Sequence, residues 1–185
     1  MNTPSHILIN CAAIGSRPPR RFWPALFGGA LPDAPIYLFY AYEKLILRAP
    51  ESQIWRKDYF ASPMQPVLDA VHSFPLILGV LGIALAVRSE VLKWLSLSLL
   101  LHACADFPLH HDDAHRQVFP FSGYRFASPV SYWDPRYYGA WGWALELIVT
   151  AAAIAILLHR HKDVGVRAAW AAFWLLNLVP FLYWG

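Results

Sequence analysis

Six apolar stretches constrain the fold of this chain more than any other feature. They cover residues 6–15, 22–42, 66–87, 94–105, 139–158 and 168–184. A helix that crosses a bilayer needs about 20 mostly apolar residues. A soluble all-helical protein holds one such helix but hardly four, and the last four stretches all read as membrane segments. Charged residues make up only 15% of the chain, against 57% hydrophobic. The expected fold is all-α: a polytopic helical membrane protein with about five to six membrane segments, in one integral domain over residues 1–185.

Lys and Arg set the expected orientation. The short connections "RPPRR", "RSEVLK" and "HRHKDVGVR" carry Arg17, Arg20, Arg21, Arg88, Lys93, Arg160, Lys162 and Arg167. The long connections, 43–65 and 106–138, dilute their basic residues with acids. The positive-inside rule puts the short loops in the cytoplasm and both long loops outside. The expected location is a bacterial-type inner membrane. The apolar run at 6–15 has no basic residues before it, so it reads as a retained helix and not a signal peptide. Trp23, Trp55, Trp94, Trp133, Trp141 and Trp184 fall near segment ends, where amphipathic rings are favoured. Cys11 and Cys104 lie far apart in apolar text and read as small buried residues, not a disulfide. The net charge of +3 is accounted for by membrane topology, so no nucleic-acid partner is expected.

Against this apolar background, "LHACADFPLHHDDAH" (101–115) holds four of the chain's eight histidines and three aspartates. His102 and Asp106 are spaced i,i+4, which puts both on one helix face. Pro108 ends that helix near Phe107. His110, His111, Asp112, Asp113 and His115 then lie on a loop that folds back. The following segment, 118–139, is rich in Pro and aromatics and reads as an ordered loop over the site. His6, Asp33, His72 and Glu146 sit in or beside other apolar stretches, and the topology brings them to the same side. Ionisable groups at membrane depth face a cavity or a partner. Imidazole mixed with carboxylate suits zinc, with manganese or iron as alternatives. The surplus of ligands allows one to three ions.

Each residue also has a plainer role open to it. His72 can bond a neighbouring carbonyl, Asp33 can cap a helix, and Glu146 can pair with Arg125 or Arg136. His115, Asp112 and Asp113 can be surface residues, and His159 and His161 read as solvated interfacial ones. The metal-ligand candidates are His6, Asp33, His72, His102, Asp106, His110, His111 and His115. Residues 1–138 form the candidate metal-site region and 139–185 a C-terminal membrane hairpin.

The segments "PSHILINCAAIG", "GALPDAPI", "AVHSFPLIL", "HACADFPLHH" and "FPFSGYRFASP" resemble, in order, the landmarks of the inner-membrane-associated metal-dependent hydrolases. That family is itself distantly similar to the zinc-dependent phospholipases C and single-strand zinc nucleases. The resemblance covers about the first 135 residues. It implies that His6, Asp33, His72, His102 and Asp106 are metal ligands. Pro35 stands where the family has a second Asp, and "QPVLDAVHS" lacks an additional His, offering Gln65 and Asp69 nearby. Glu146 would supply the Glu of a helical His/Glu pair, but position 142 is Gly, so His115 or His111 would replace that His.

The expected function is a membrane-embedded metal-dependent hydrolase, acting through metal-activated water on a phosphoester or lipid-like substrate drawn from the bilayer. Asp33 or Glu146 would accept the proton, and Arg125 and Arg136 would hold an anionic group. The alternative is a small proton- or ion-coupled transporter using the same buried His and Asp residues, for which an oligomer could supply the missing repeat.

Overall fold

The computed structural model describes residues 1–15 and 18–179, excepting the side chains of residues 18 and 19. Arg17, Trp184 and the end of the sixth apolar stretch lie outside the described residues. All regular structure among the described residues is helical. The main elements are α1 (Thr3–Ala13), α2 (Pro18–Ala30), a 3-10 turn (Leu31–Asp33), α3 (Ala34–Ala41), α4 (Gln65–Val71), α5 (Phe74–Ala86), α6 (Glu90–Asp106), α7 (Gly139–Arg160) and α8 (Val164–Leu175). Irregular helical turns over 42–46 and 51–61 join α3 to α4.

The expectation of five to six membrane segments is corrected here. Among the described residues only α7 is long and apolar enough to cross a membrane, with a mean hydropathy of 2.0 over its apolar window. A second crossing exists if α4 and α5, bent by 50° at their junction, count as one span. The apolar text elsewhere is interrupted by geometry that hydropathy does not register. Helix α1 has 11 residues, roughly 16 Å, about half a bilayer core. The stretch 22–42 breaks into a 3-10 turn at Pro32 and restarts at Ala34 with Pro35 near its N-terminus. Helix α6 has 17 residues and carries Glu90 and Lys93 at one end and His102 and Asp106 at the other. The six-crossing topology falls with the count.

Helix α1 lies at the centre and packs against α2, α6, α7 and α8. Its Leu8, Cys11 and Ala12 form a core with Ala25, Ala153, Ile154 and Leu157. Close approach is achieved by glycine. A Cβ at Gly28 would lie 2.4 Å from Ser98 Cβ on α6, and one at Gly29 would lie 2.9 Å from Ile7 Cα on α1. In that tight seam Asn10 Nδ2 donates to Ser98 Oγ at 2.8 Å, and Ser98 Oγ donates to the Ala25 carbonyl at 2.9 Å. These bonds satisfy the Asn10 amide N–H and the Ser98 hydroxyl within the seam.

The connection from Phe107 to Tyr138 has only one short helical turn but is held at many points. Ser128 N–H donates to the His110 carbonyl and Tyr132 N–H to the Leu109 carbonyl, both at 2.9 Å. Phe74 N–H donates to the Gln117 carbonyl at 2.9 Å, and Ser73 Oγ donates to the Phe119 carbonyl at 2.5 Å. These bonds fix the loop to the bend between α4 and α5.

Candidate metal centre

Four segments converge on Asp106. It ends α6, one turn after His102 on the same face. His72 caps α4 where the chain turns into α5: Ser73 Oγ accepts from Leu76 N–H and Pro75 occupies the first turn, so a new helix starts there. Asp33 ends the 3-10 turn that follows α2. His6 lies on α1. Ligand atoms of Asp33, His72, His102 and Asp106 all lie within 4.8 Å of one another, and all four residues are buried. This group could hold a metal ion.

The two histidines of the group are aimed. His72 Nδ1 lies 2.8 Å from the Leu68 carbonyl and His102 Nδ1 lies 3.1 Å from the Gly29 carbonyl. A carbonyl only accepts, so each Nδ1 carries the hydrogen and each Nε2 faces the centre. Backbone-bonded imidazoles of this kind are the usual second support of a metal ligand. His102 Nε2 is 3.1 Å and His72 Nε2 3.6 Å from Asp106 Oδ2, but neither meets hydrogen-bond geometry, and both atoms are buried without a partner. Unpaired buried nitrogens beside carboxylates are costly unless a cation lies between them.

The electrostatics also call for positive charge at this point. Burial acts to raise the Asp106 pKa, but His6, the Met1 α-amino group, His110 and His102 outweigh it and hold the carboxyl well below its ordinary range. Burial acts to lower that of His102, but Asp106 and Asp33 lift it to about 9. A proton on Nε2 and a metal ion would answer the same need.

Other expected residues surround this group or lie away from it. His6 Nε2 is 2.9 Å from Asp106 Oδ1, and its ring stacks on His102 at 3.6 Å. His110 Nε2 is 3.3 Å from the same oxygen, while its Nδ1 is 3.0 Å from Asp113 Oδ2. His115 stacks on His72 at 3.8 Å, and its buried Nδ1 has no hydrogen-bond partner. His111 does not join them. Its Nδ1 lies 2.5 Å from the Ser128 carbonyl and its ring stacks on Tyr137 at 3.5 Å, so it braces the loop.

Glu146 pairs with neither Arg125 nor Arg136. Its Oε1 accepts from Asn2 N–H at 2.8 Å, Asn2 Nδ2 at 3.0 Å and Ser5 Oγ at 2.5 Å, joining α7 to the start of α1. Arg136 is engaged by Asp134 at 2.6 Å and Asp112 at 3.2 Å. Arg125 instead reaches Asp69 at 3.5 Å. Three pairings escape a reading of the sequence: Asp113, expected only on the loop, with His110; the Met1 α-amino group, 2.5 Å from Asp106 Oδ1; and Asp69 with Arg116 at 2.6 Å. Asp69 does sit one turn before His72 and Arg116 directly after His115, which is the signal that was available.

Comparison with known proteins finds no matching family model, no matching curated protein and no matching solved structure.

Proposed function

We propose that this chain is a membrane-associated, metal-dependent hydrolase of phosphoesters, with zinc as the ion best suited to two imidazoles and two carboxylates. The observation that carries the reading is the pair of buried, unpartnered Nε2 atoms of His72 and His102, each locked by a backbone carbonyl and turned toward Asp33 and Asp106. The resemblance to the inner-membrane-associated hydrolases, resting on the same residues, points the same way. When bound, the ion supplies Lewis acidity, which acidifies water and polarises a phosphoester.

The chain's own residues do the rest. His72, His102, Asp33 and Asp106 would hold the ion, and His6 and His110 orient Asp106 through its Oδ1. Asp33, with Oδ1 toward His102 and the ion site, would take up the proton released from water at its Oδ2. Its Oδ2 takes a hydrogen bond from Thr3 Oγ1 at 2.5 Å, and Thr3 Oγ1 lies 2.9 Å from the hydroxyl of the exposed Tyr37. That chain offers the proton a path outward.

Membrane association rests on α7 and the bent α4–α5 pair. Only 33% of the α7 apolar window is buried, and Leu145 and Ile148 point outward. Exposed apolar surface on this scale marks a contact with lipid or another protein. Helices α1 and α7 run side by side in one direction: Asn2 and Ser5 bond Glu146, and the Ala12 carbonyl accepts from Arg160. The metal centre therefore lies toward one end of α7, and Arg160 and Lys162 mark the other. We place the centre on the side away from the cytoplasm because Arg160, Lys162 and Arg167 crowd the short connection at the far end of α7, whereas Arg116, Arg125 and Arg136 are spread over a long loop.

The test is hydrolysis of phosphoesters presented in detergent or bilayers. Asp33→Asn should lower the rate by about 100-fold or more while the protein stays folded. If no hydrolysis appears across a broad screen, and reconstituted protein instead moves protons in an Asp33-dependent way, the enzyme reading fails.

A further inference from the structure

Asp69 is fully buried on α4, one turn before His72, and its carboxylate is directed at the loop. Oδ1 accepts from the Arg116 backbone N–H at 2.7 Å and Oδ2 from Arg116 Nε at 2.6 Å. Arg125 Nη2 approaches the same Oδ2 at 3.5 Å, and its Nη1 donates to the Ala114 carbonyl at 2.8 Å. One carboxylate thus faces two guanidinium groups, leaving a net positive charge.

A structural brace would need only one of these arginines. Arg116 already satisfies Asp69 through its backbone and Nε, and its two terminal amino groups form no hydrogen bond among the described residues. Its guanidinium lies over the Phe119 ring at 4.8 Å, a second support beside Asp69. The side chains of Arg116 and Arg125 are 27% and 36% exposed, so both can be reached from outside. Both are also tied to the metal centre. Arg116 follows His115, whose ring stacks on His72, and Arg125 holds the carbonyl of Ala114, just before His115.

We infer that Arg116 and Arg125, held by Asp69, form a cradle for the phosphate group of the substrate beside the metal centre. This rests on the hydrolase reading and gives its substrate class a recognition element. Guanidinium forks match phosphate oxygens in pairs, and a fork already oriented by a buried carboxylate loses little freedom on binding. The phosphate belongs to a lipid headgroup or to a soluble ester.

The test is binding of inorganic phosphate, and of phosphatidate in neutral-detergent micelles, to detergent-purified full-length protein. Diacylglycerol micelles serve as the phosphate-free control, and metal content is measured on the same samples. Arg125→Gln leaves the Asp69–Arg116 pair intact and should weaken phosphate binding at least tenfold. Arg116→Gln should do the same, with partial recovery in Arg116→Lys, which keeps the charge but not the fork. Should Arg116→Gln fail to fold, Arg125→Gln decides alone. Binding of phosphatidate but not inorganic phosphate supports the cradle with a lipid source, and binding of both supports it with either source. Wild-type protein that binds neither, or variants that bind as wild type does, would overturn the cradle. Metal-free protein whose phosphate binding still depends on the arginines would overturn the hydrolase reading and leave the cradle standing.

Discussion

Helices α6 and α7 both come from apolar stretches of the sequence, yet they bury different kinds of face. Helix α7 runs 22 residues, roughly 33 Å, with Glu146 as its one acidic residue. It buries Gly139, Gly142, Glu146, Thr150 and Ala153, with Ile154 and Leu157 near its end, and turns Leu145, Ile148 and Ile156 outward. Helix α6 is 17 residues long and buries Ser96, Ser98, His102 and Asp106. Its inner face is a polar seam that meets Asn10 and ends in the metal group. Helix α7 is the more apolar of the two, but apolar content is only part of the difference. What separates them further is the length between polar residues and the partners those residues find inside the protein.

The sharpest way to break that contrast is to place a charge on each outer face. Ile148, near the middle of α7, is 68% exposed, and Val91 on α6 is 54% exposed. An Arg at the centre of a spanning helix costs about 3 kcal/mol, whereas one on a watery surface stays within about 0.5 kcal/mol. Ile148→Arg should therefore sharply reduce membrane insertion, measured by fractionation and alkaline extraction, and Val91→Arg should not. Equal tolerance of both would remove α7 from the membrane.

A somewhat smaller effect is expected in the seam of α6. Gly28→Ala sets a methyl group against Ser98, where only 2.4 Å is available. Overpacking of this kind costs about 1–3 kcal/mol, which thermal unfolding in detergent would register. Orientation can be checked without loss of stability. A Cβ at Gly123 meets no atom within 4 Å, so Gly123→Cys is accommodated. In a Cys11→Ala/Cys104→Ala background it should react with an impermeant thiol reagent on intact cells. Labelling only after lysis would put the centre on the cytoplasmic side.

The smallest effect is expected at Glu146. Its Oε1 takes three hydrogen bonds, and a Gln amide oxygen can take the same three. Glu146→Gln should keep metal content unchanged and shift stability by no more than about 1 kcal/mol. Loss of metal in this variant would bring Glu146 into the ligand set.

Much of this centre was legible because it is local. His102 and Asp106 share a helix face by spacing alone, and Pro108 marks where that helix ends. Asp33 beside Pro32 and His72 beside Ser73 and Pro75 sit at breaks, which Pro signals but hydropathy overlooks. Those same breaks are why the expected crossings shrank: the apolar run from 66 to 87 continues through a 50° bend. The long-range pairs were not legible. Asp69 and Arg116 are 47 residues apart, and nothing local in either joins them. His110 and His111 are neighbours in sequence, and only the path of the loop sends one to Asp106 and the other to Tyr137.

The central claim is that His72, His102, Asp33 and Asp106 hold a metal ion, and elemental analysis of gently detergent-purified protein tests it most directly. Wild type should carry a transition metal, zinc foremost, in near-stoichiometric amount. His102→Ala and Asp106→Ala should each lose it, whereas His111→Ala, altered at a residue that faces Tyr137, should keep it. Wild-type protein free of any transition metal, or full metal content in both the His102 and Asp106 variants, would contradict the account.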